Sequence, residues 1–334
     1  MTARLELVLR YRAGRWRWLL VSWFVGLLIF AFLLQGVIWH AQDLGGHRGT
    51  VLFGGLQLFM LGLALFIVPA LTSQSVNGDR ERGRLGVLQV TELSASDIVL
   101  GKLFASWGVA CVFVLVSAPI TAWAIVEGGI TFLQVVVVTL IMMLLLGIFC
   151  AIGLGMSAIF ARSTTSSVLT YVTVFVLTVG TLIAAGLVSA INAQSNIDGS
   201  TGQAWYLLAP NPFVILADAA PAAPVKRTCF QVVPPSGSPG VGTSSGSTTF
   251  GPSSGSTICQ TSLPNGDVLG GIRQGIRDTE TSSSGDGNVG STQGGPVWPY
   301  GLAFDLILSG LLIWAAIRRV RTPIRHLPTG VRVA

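Results

Sequence analysis

Asp79, Arg80, Glu81, Arg82 and Arg84 place five charges of both signs within six positions, in a chain where charged residues make up only 10%. Gly83 interrupts them, and an apolar set follows: Leu85, Val87, Leu88, Val90 and Leu93. A patch made for lipid head groups would carry one sign. Mixed charge beside an apolar face is instead the chemistry of a surface that docks another protein. Ser94 with Asp97 reads as a capping box, which predicts a helix starting there and running through Gly101 and Lys102 into apolar sequence. The plainer alternative is a solvated, charged loop with no partner.

Other reactive residue types are sparse. Gln35, Gln57 and Gln134 fall in apolar runs, where they either line a substrate path or bond between helices. Asp305 is an acid inside an apolar run, so it either faces a polar path or is reached by local water near the end of that run. Gly153-Leu-Gly155-Met-Ser-Ala158 has the outline of a dinucleotide fingerprint, but an apolar run and no strand precedes it, which excludes that reading. His40, His47 and His326 are scattered, and no spacing of Cys or His suggests a metal site. No Gly-x-x-x-x-Gly-Lys-Ser/Thr loop is present, so ATP binding and catalysis are not expected of this chain.

The elements that position these residues are set by composition. Apolar residues make up 51% of the chain, and the mean hydropathy is +0.69. That is a multi-span membrane protein, and long apolar runs without strand-like alternation predict helices. Six spans are expected near 18–39, 51–71, 103–125, 132–160, 168–190 and 299–317, with kinks at Pro69 and Pro119. The fourth is long enough to tilt. It carries Gly147, Ala151 and Gly155 as a small-residue stripe that admits a neighbouring helix. The first span is too long for a cleaved leader, and no small-x-small site follows it, so it is expected to stay.

Of the 20 Lys and Arg, fifteen flank one side of this arrangement and five the other: Arg48, Lys226, Arg227, Arg273 and Arg277. The larger share marks the cytoplasmic side, which takes both termini and the mixed-charge loop inside the cell membrane. This distribution accounts for the net charge of +6 without nucleic acid. Residues 1–17 read as a basic, amphipathic interfacial helix against the membrane lipids or a simple orientation anchor, and 318–334 as a basic cytoplasmic tail.

The outer segment, 191–298, divides in two. The part near 205–220 is apolar but too short and Pro-broken to span, so a re-entrant or interfacial helix is expected to start at Pro212. Residues 234–295 are rich in Gly, Ser, Thr and Pro and are expected to be a flexible loop, with at most a short helix around Val268, Leu269 and Ile272. Cys229 and Cys259 lie in this oxidising location and are expected to pair rather than remain free thiols, whereas Cys111 and Cys150 read as small apolar residues of spans.

The stretch Glu81, Gly83, Leu85, Leu88, Thr91, Leu93, Ser94, Gly101 and Lys102 resembles the loop between spans two and three of ABC-2 type transporter permeases. Arg84 stands where that family usually has Thr, and Glu92 where it usually has Pro. Asn211-Pro212-Phe213 is similar to an Asn-Pro re-entrant element common between their last two spans. The resemblance implies an all-α membrane fold with six transmembrane helices and a coupling loop at 72–102. Within that loop Asp79, Arg80, Glu81, Arg82, Gly83, Leu85, Leu88 and Leu93 would touch a separate ABC ATPase. It further implies two ATPase copies holding ATP and Mg2+, a second permease chain, identical or related, and export as the direction. The rival class is a non-transporting sensor or scaffold that presents the outer segment to a ligand.

Overall fold

The computed structural model describes residues 15–40, 48–78, 94–195, 204–221, 226–232, 256–262, 267–281 and 296–321. Of the expected interfacial helix at 1–17, residues 1–14 lie outside the described residues and 15–17 belong to the helix of span 1; of the basic tail at 318–334, 318–321 continue the helix of span 6 and the rest lies outside, as does the charged segment 79–93.

Among the described residues, six helical segments are long and apolar enough to cross a membrane. Span 1 is α1 (Arg15–His40) and span 2 is α2 (Arg48–Thr72), with Pro69 inside it. Span 3 is α3 (Ala95–Val116) followed by α4 (Ala118–Val126). The expected kink is a helix break there: Pro119 occupies the first turn of α4, and Ser117 is the junction. Trp23 of α1 covers that break, its indole N–H donating to Phe113 O at 3.1 Å and to Ser117 Oγ at 2.9 Å. Span 4 is α5 (Phe132–Ile159). Span 5 is α6 (Ser163–Phe175), a π-helical segment (Val176–Gly180) and α7 (Thr181–Ser195). Two short helices follow, α8 (Ala204–Leu208) and α9 (Pro212–Ala219). Span 6 is α11 (Trp298–Arg321).

Span 3 begins at Ala95, earlier than apolar composition alone indicates, because Ser94 caps it. Ser94 Oγ accepts from the backbone N–H of Asp97 at 3.2 Å and donates to Asp97 Oδ2 at 2.6 Å. The cap is therefore present, with the Asp side chain bound to the Ser hydroxyl. Thr131 and Gln134 form a full reciprocal capping box at the start of α5.

Span 4 is the centre of the bundle, packing on spans 2, 3, 5 and 6, with span 6 its most extensive neighbour. The small-residue stripe makes this approach. A Cβ on Gly155 would sit 2.6 Å from Leu312 Cβ of span 6, and one on Gly147 3.1 Å from Trp107 Nε1 of span 3. The main core gathers Leu27, Phe53, Met60, Phe113, Met142, Leu145 and Phe149, with Ile215 and Leu216 of α9.

Two features depart from the expected flexible outer loop. Strands β1 (Lys226–Val232) and β2 (Ser256–Ser262) pair antiparallel. Helix α10 (Val268–Thr281) is longer than the three apolar residues suggested, and it is packed. Asp267 caps it through the Gly270 N–H at 2.9 Å. Leu269 enters the main core, and buried Arg273 donates to Ala220 O at 2.7 Å. The composition of 234–295 as a whole masked this local amphipathic run.

Candidate functional site

Alternation of the six spans puts both helix ends that flank 79–93 at one end of the bundle, together with the 159–163 turn and the end of span 6 at Arg321. We call this the basal end. Here α2 unwinds after Thr72, and its exit segment is tied down by side chains from three other spans. Ser166 of span 5 donates its hydroxyl to Ser73 O at 2.8 Å, and Ser73 and Ser167 share a hydroxyl contact at 3.1 Å. Lys102 of span 3 donates to Ser75 O at 3.1 Å, a cation placed on carbonyls at a helix C-terminus. Ser157 of span 4 accepts from the N–H groups of Val76 and Asn77 at 3.1 and 3.3 Å. Beneath them Val76, Val99, Leu154, Ala158, Ala316 and Val320 form a separate apolar cluster joining spans 2, 3, 4 and 6.

The two ends of the undescribed segment are thus fixed to each other through Lys102 and to the rest of the bundle through serines and valines. Sequence reading identified Lys102 by position but missed Ser157 and Ser166, because a lone serine near a helix end carries no pattern of its own.

The opposite, distal end is organised on α9. Asn211 is fully buried, and its side-chain oxygen caps α9 by accepting from the Phe213 N–H at 3.0 Å. Its amide donates to Thr178 O at 2.7 Å, inside the π-helical segment, and to Thr181 Oγ1 at 2.9 Å. The π segment displaces the span 5 backbone register where a loop side chain bonds to it, a recurring use of such bulges. Pro212 fills the first turn, where no N–H is needed. Phe213 is half-buried on the main core. At its far end, buried Asp218 accepts from the N–H groups of Val297 and Trp298 at 2.7 and 2.9 Å, capping span 6 from another element. The expected Asn-Pro element is therefore a hub that ties span 5 to span 6.

The four polar residues singled out in the spans do not converge. Gln35 donates to Glu127 Oε1 at 2.8 Å, a bond between α1 and the end of α4. Gln134 sits in the first turn of α5, and its Nε2 donates to Pro221 O at 3.1 Å. Gln57 and Asp305 are both fully buried, and none of their side-chain polar atoms has a hydrogen-bond partner. Among the described residues no hydrogen bond joins any two of the four. The cleft near Gln134, lined also by Thr50, Asp267 and Arg273, holds about 30 Å³, room for a water and not for a transported molecule.

Against known proteins, the family that matches is described as ABC-2 family transporter protein, and the match covers residues 12–222. The chain belongs to this family. It is a multi-pass membrane permease of the transporter class, with six membrane-crossing helices among the described residues and span 4 at their centre. No curated protein matches it. The matched region takes in the first five spans, the basal mount and the whole α8–α9 hub, and stops before the strand pair, α10 and span 6.

Proposed function

We propose that this permease works in an ATP-driven exporter, with two copies of a separate ABC ATPase docking on 79–93 and a second permease chain, identical or related, completing the path. ATP and Mg2+ belong to the ATPase in this reading. The observation that carries it is the basal mount: the segment that leads into the mixed-charge stretch is bound to spans 3, 4 and 5 by Lys102, Ser157 and Ser166, and the stretch leads out directly into span 3. A free loop would need no such mount, whereas a loop that receives force does. The skewed distribution of Lys and Arg supports a cytoplasmic basal end in the cell membrane. Closure of the ATPases would push the segment, and the spans would shift as rigid bodies to open the path on the distal side.

The test is copurification of the chain with an ABC ATPase and measurement of ATP turnover by the reconstituted complex. Glu81→Arg removes an acceptor and adds repulsion towards basic groups on the partner. Turnover is expected to fall several-fold at low salt and to recover partly at high salt, where exposed charges are screened. Failure to capture any ATPase, or turnover indifferent to the reversal at every salt concentration, would sink the reading.

A bridge between Cys229 and Cys259 belongs to the same reading of the distal side as extracytoplasmic. The two residues are direct partners in the antiparallel register of β1 and β2, which supports the pairing. The closed loop of about thirty residues corresponds to roughly 3–4 kcal/mol of lost chain entropy in the unfolded state. Denatured, unreduced protein is expected to show both thiols blocked to maleimide until reductant is added. Free labelling of both before reduction would refute the bridge.

A further inference from the structure

The geometry points to Ser157 as the positioning residue through which movement of the coupling segment enters span 4, an inference that rests on the permease reading above. Ser157 is fully buried in the last turns of α5. Its one hydroxyl oxygen accepts from two consecutive N–H groups, those of Val76 and Asn77, immediately before the charged segment begins. The side chain of Asn77 plays no part in this anchorage. It is fully buried, yet neither Oδ1 nor Nδ2 has a hydrogen-bond partner. Residue 77 is therefore held by its backbone, and the holder is Ser157. Leu154 and Ala158, on either side of Ser157, pack with Val76 in the basal apolar cluster, which also takes in Ala316 and Val320 of span 6.

A helix is stiff along its length, and span 4 touches spans 2, 3, 5 and 6. A displacement of 76–77 must then either carry span 4 with it or break both hydrogen bonds in a buried setting, where each unsatisfied N–H is costly. The other ties at the basal end, from Lys102, Ser166 and Ser167, run elsewhere. Lys102 closes the two ends of the coupling segment on each other, and Ser166 links to span 5. Ser157 is thus the tie that addresses the centre of the bundle.

The experiment uses the complete chain with its ATPase, reconstituted in nanodiscs, and reads permease-dependent ATP turnover. For Ser157→Ala, insertion, ATPase yield and KM for ATP are expected to match the unmodified complex, while kcat falls about tenfold, the scale of losing two buried hydrogen bonds. Ser157→Thr, which keeps the hydroxyl, is expected to restore kcat. A paired variant, Asn77→Cys with Ser157→Cys, replaces the hydrogen bonds by a bond made at will. Oxidised, it is expected to turn over within about twofold of the unmodified complex, and reduced, to be about tenfold slower. The inference is overturned if Ser157→Ala keeps full kcat, or if it loses yield with unchanged turnover per surviving complex, which is the mark of a structural role alone. It is equally overturned if oxidised and reduced forms of the paired variant turn over alike. An unmodified chain that captures no ATPase would instead refute the permease–ATPase reading, before Ser157 is in question.

Discussion

Gly301→Val is expected to unseat the α8–α9 hub from span 6 and to leave a chain that inserts but unfolds at much lower temperature. Gly301 lies on the first turn of span 6, where the turn after α8 and helix α9 meet it. A Cβ at this position would collide with the backbone carbonyl oxygen of Ala209 and would come within 3.1 Å of Ile215 Cγ1. The obstacle is backbone, so no side-chain rotation relieves it. Overpacking of this kind typically costs about 1–3 kcal/mol and more where backbone must move. Relief would require α9 to lift. That strains the Asp218 cap on Val297 and Trp298 and the Asn211 bonds to Thr178 and Thr181. Gly301→Ala is the milder variant and is expected to fall between. A reporter makes the movement visible. Val214→Cys, buried at 3% exposure, is expected to react slowly with a membrane-impermeant maleimide in the parent and rapidly alongside Gly301→Val. A Gly301→Val protein with parental melting and a still-protected residue 214 would show that α9 does not depend on this contact.

That a short helix starts at Pro212 was legible in the sequence; how it is fastened to the spans was not. Pro212 after Asn211 announces a helix start whose first N–H groups need an acceptor, and the Asn side chain supplies one. The second use of Asn211, towards a π-helical turn in span 5, depends on backbone register, which Val176–Gly180 do not advertise by composition. The same limit applies to the spans. Their existence follows from length and hydropathy, because only helices satisfy their backbone in lipid. Which side of each faces the bundle does not, because lipid is as apolar as the interior. On α5, Met142 and Leu145 are buried while Leu140 and Leu144 are exposed, and no difference in residue type separates them. Small residues are the exception. Gly147 and Gly155 mark close approach in the sequence, and they meet Trp107 and Leu312 in the fold. Gln134 fell on the wrong side of the same problem: in a long apolar run it looks membrane-embedded, but with Thr131 three residues before it, it is a capping residue.

Replacing Asp305 with leucine is expected to stabilise the permease and to depress its turnover. Asp305 lies one turn along span 6 from Gly301, on the stripe that continues through Ser309, Ala316 and Val320 and is buried against its neighbours. Its exposure is 0%, and neither carboxyl oxygen has a hydrogen-bond partner. The reading in which local water reaches it near the end of the span does not fit that burial. A carboxyl group, whatever its protonation state, is a poorer occupant of an apolar seam than an isosteric hydrocarbon. Burying a polar group without a partner costs roughly 1–3 kcal/mol by mutational measures, and more for a charge. Leucine removes that cost while filling similar space, so a rise in melting temperature of several degrees follows. Asn keeps the polar group and is expected to gain less. A residue that destabilises the fold and is nevertheless present at membrane depth is a candidate for work done in another conformation of the bundle. The buried stripe of span 6 on which it sits is one that rigid-body movement of that span would expose. The measurements are melting of the purified chain at a fixed scan rate and ATP turnover of the reconstituted complex, both for Asp305→Leu and Asp305→Asn. Lower melting in Asp305→Leu would mean that the carboxyl group has a stabilising contact in the membrane. Higher melting with full turnover would mean that its burial serves no step of the cycle.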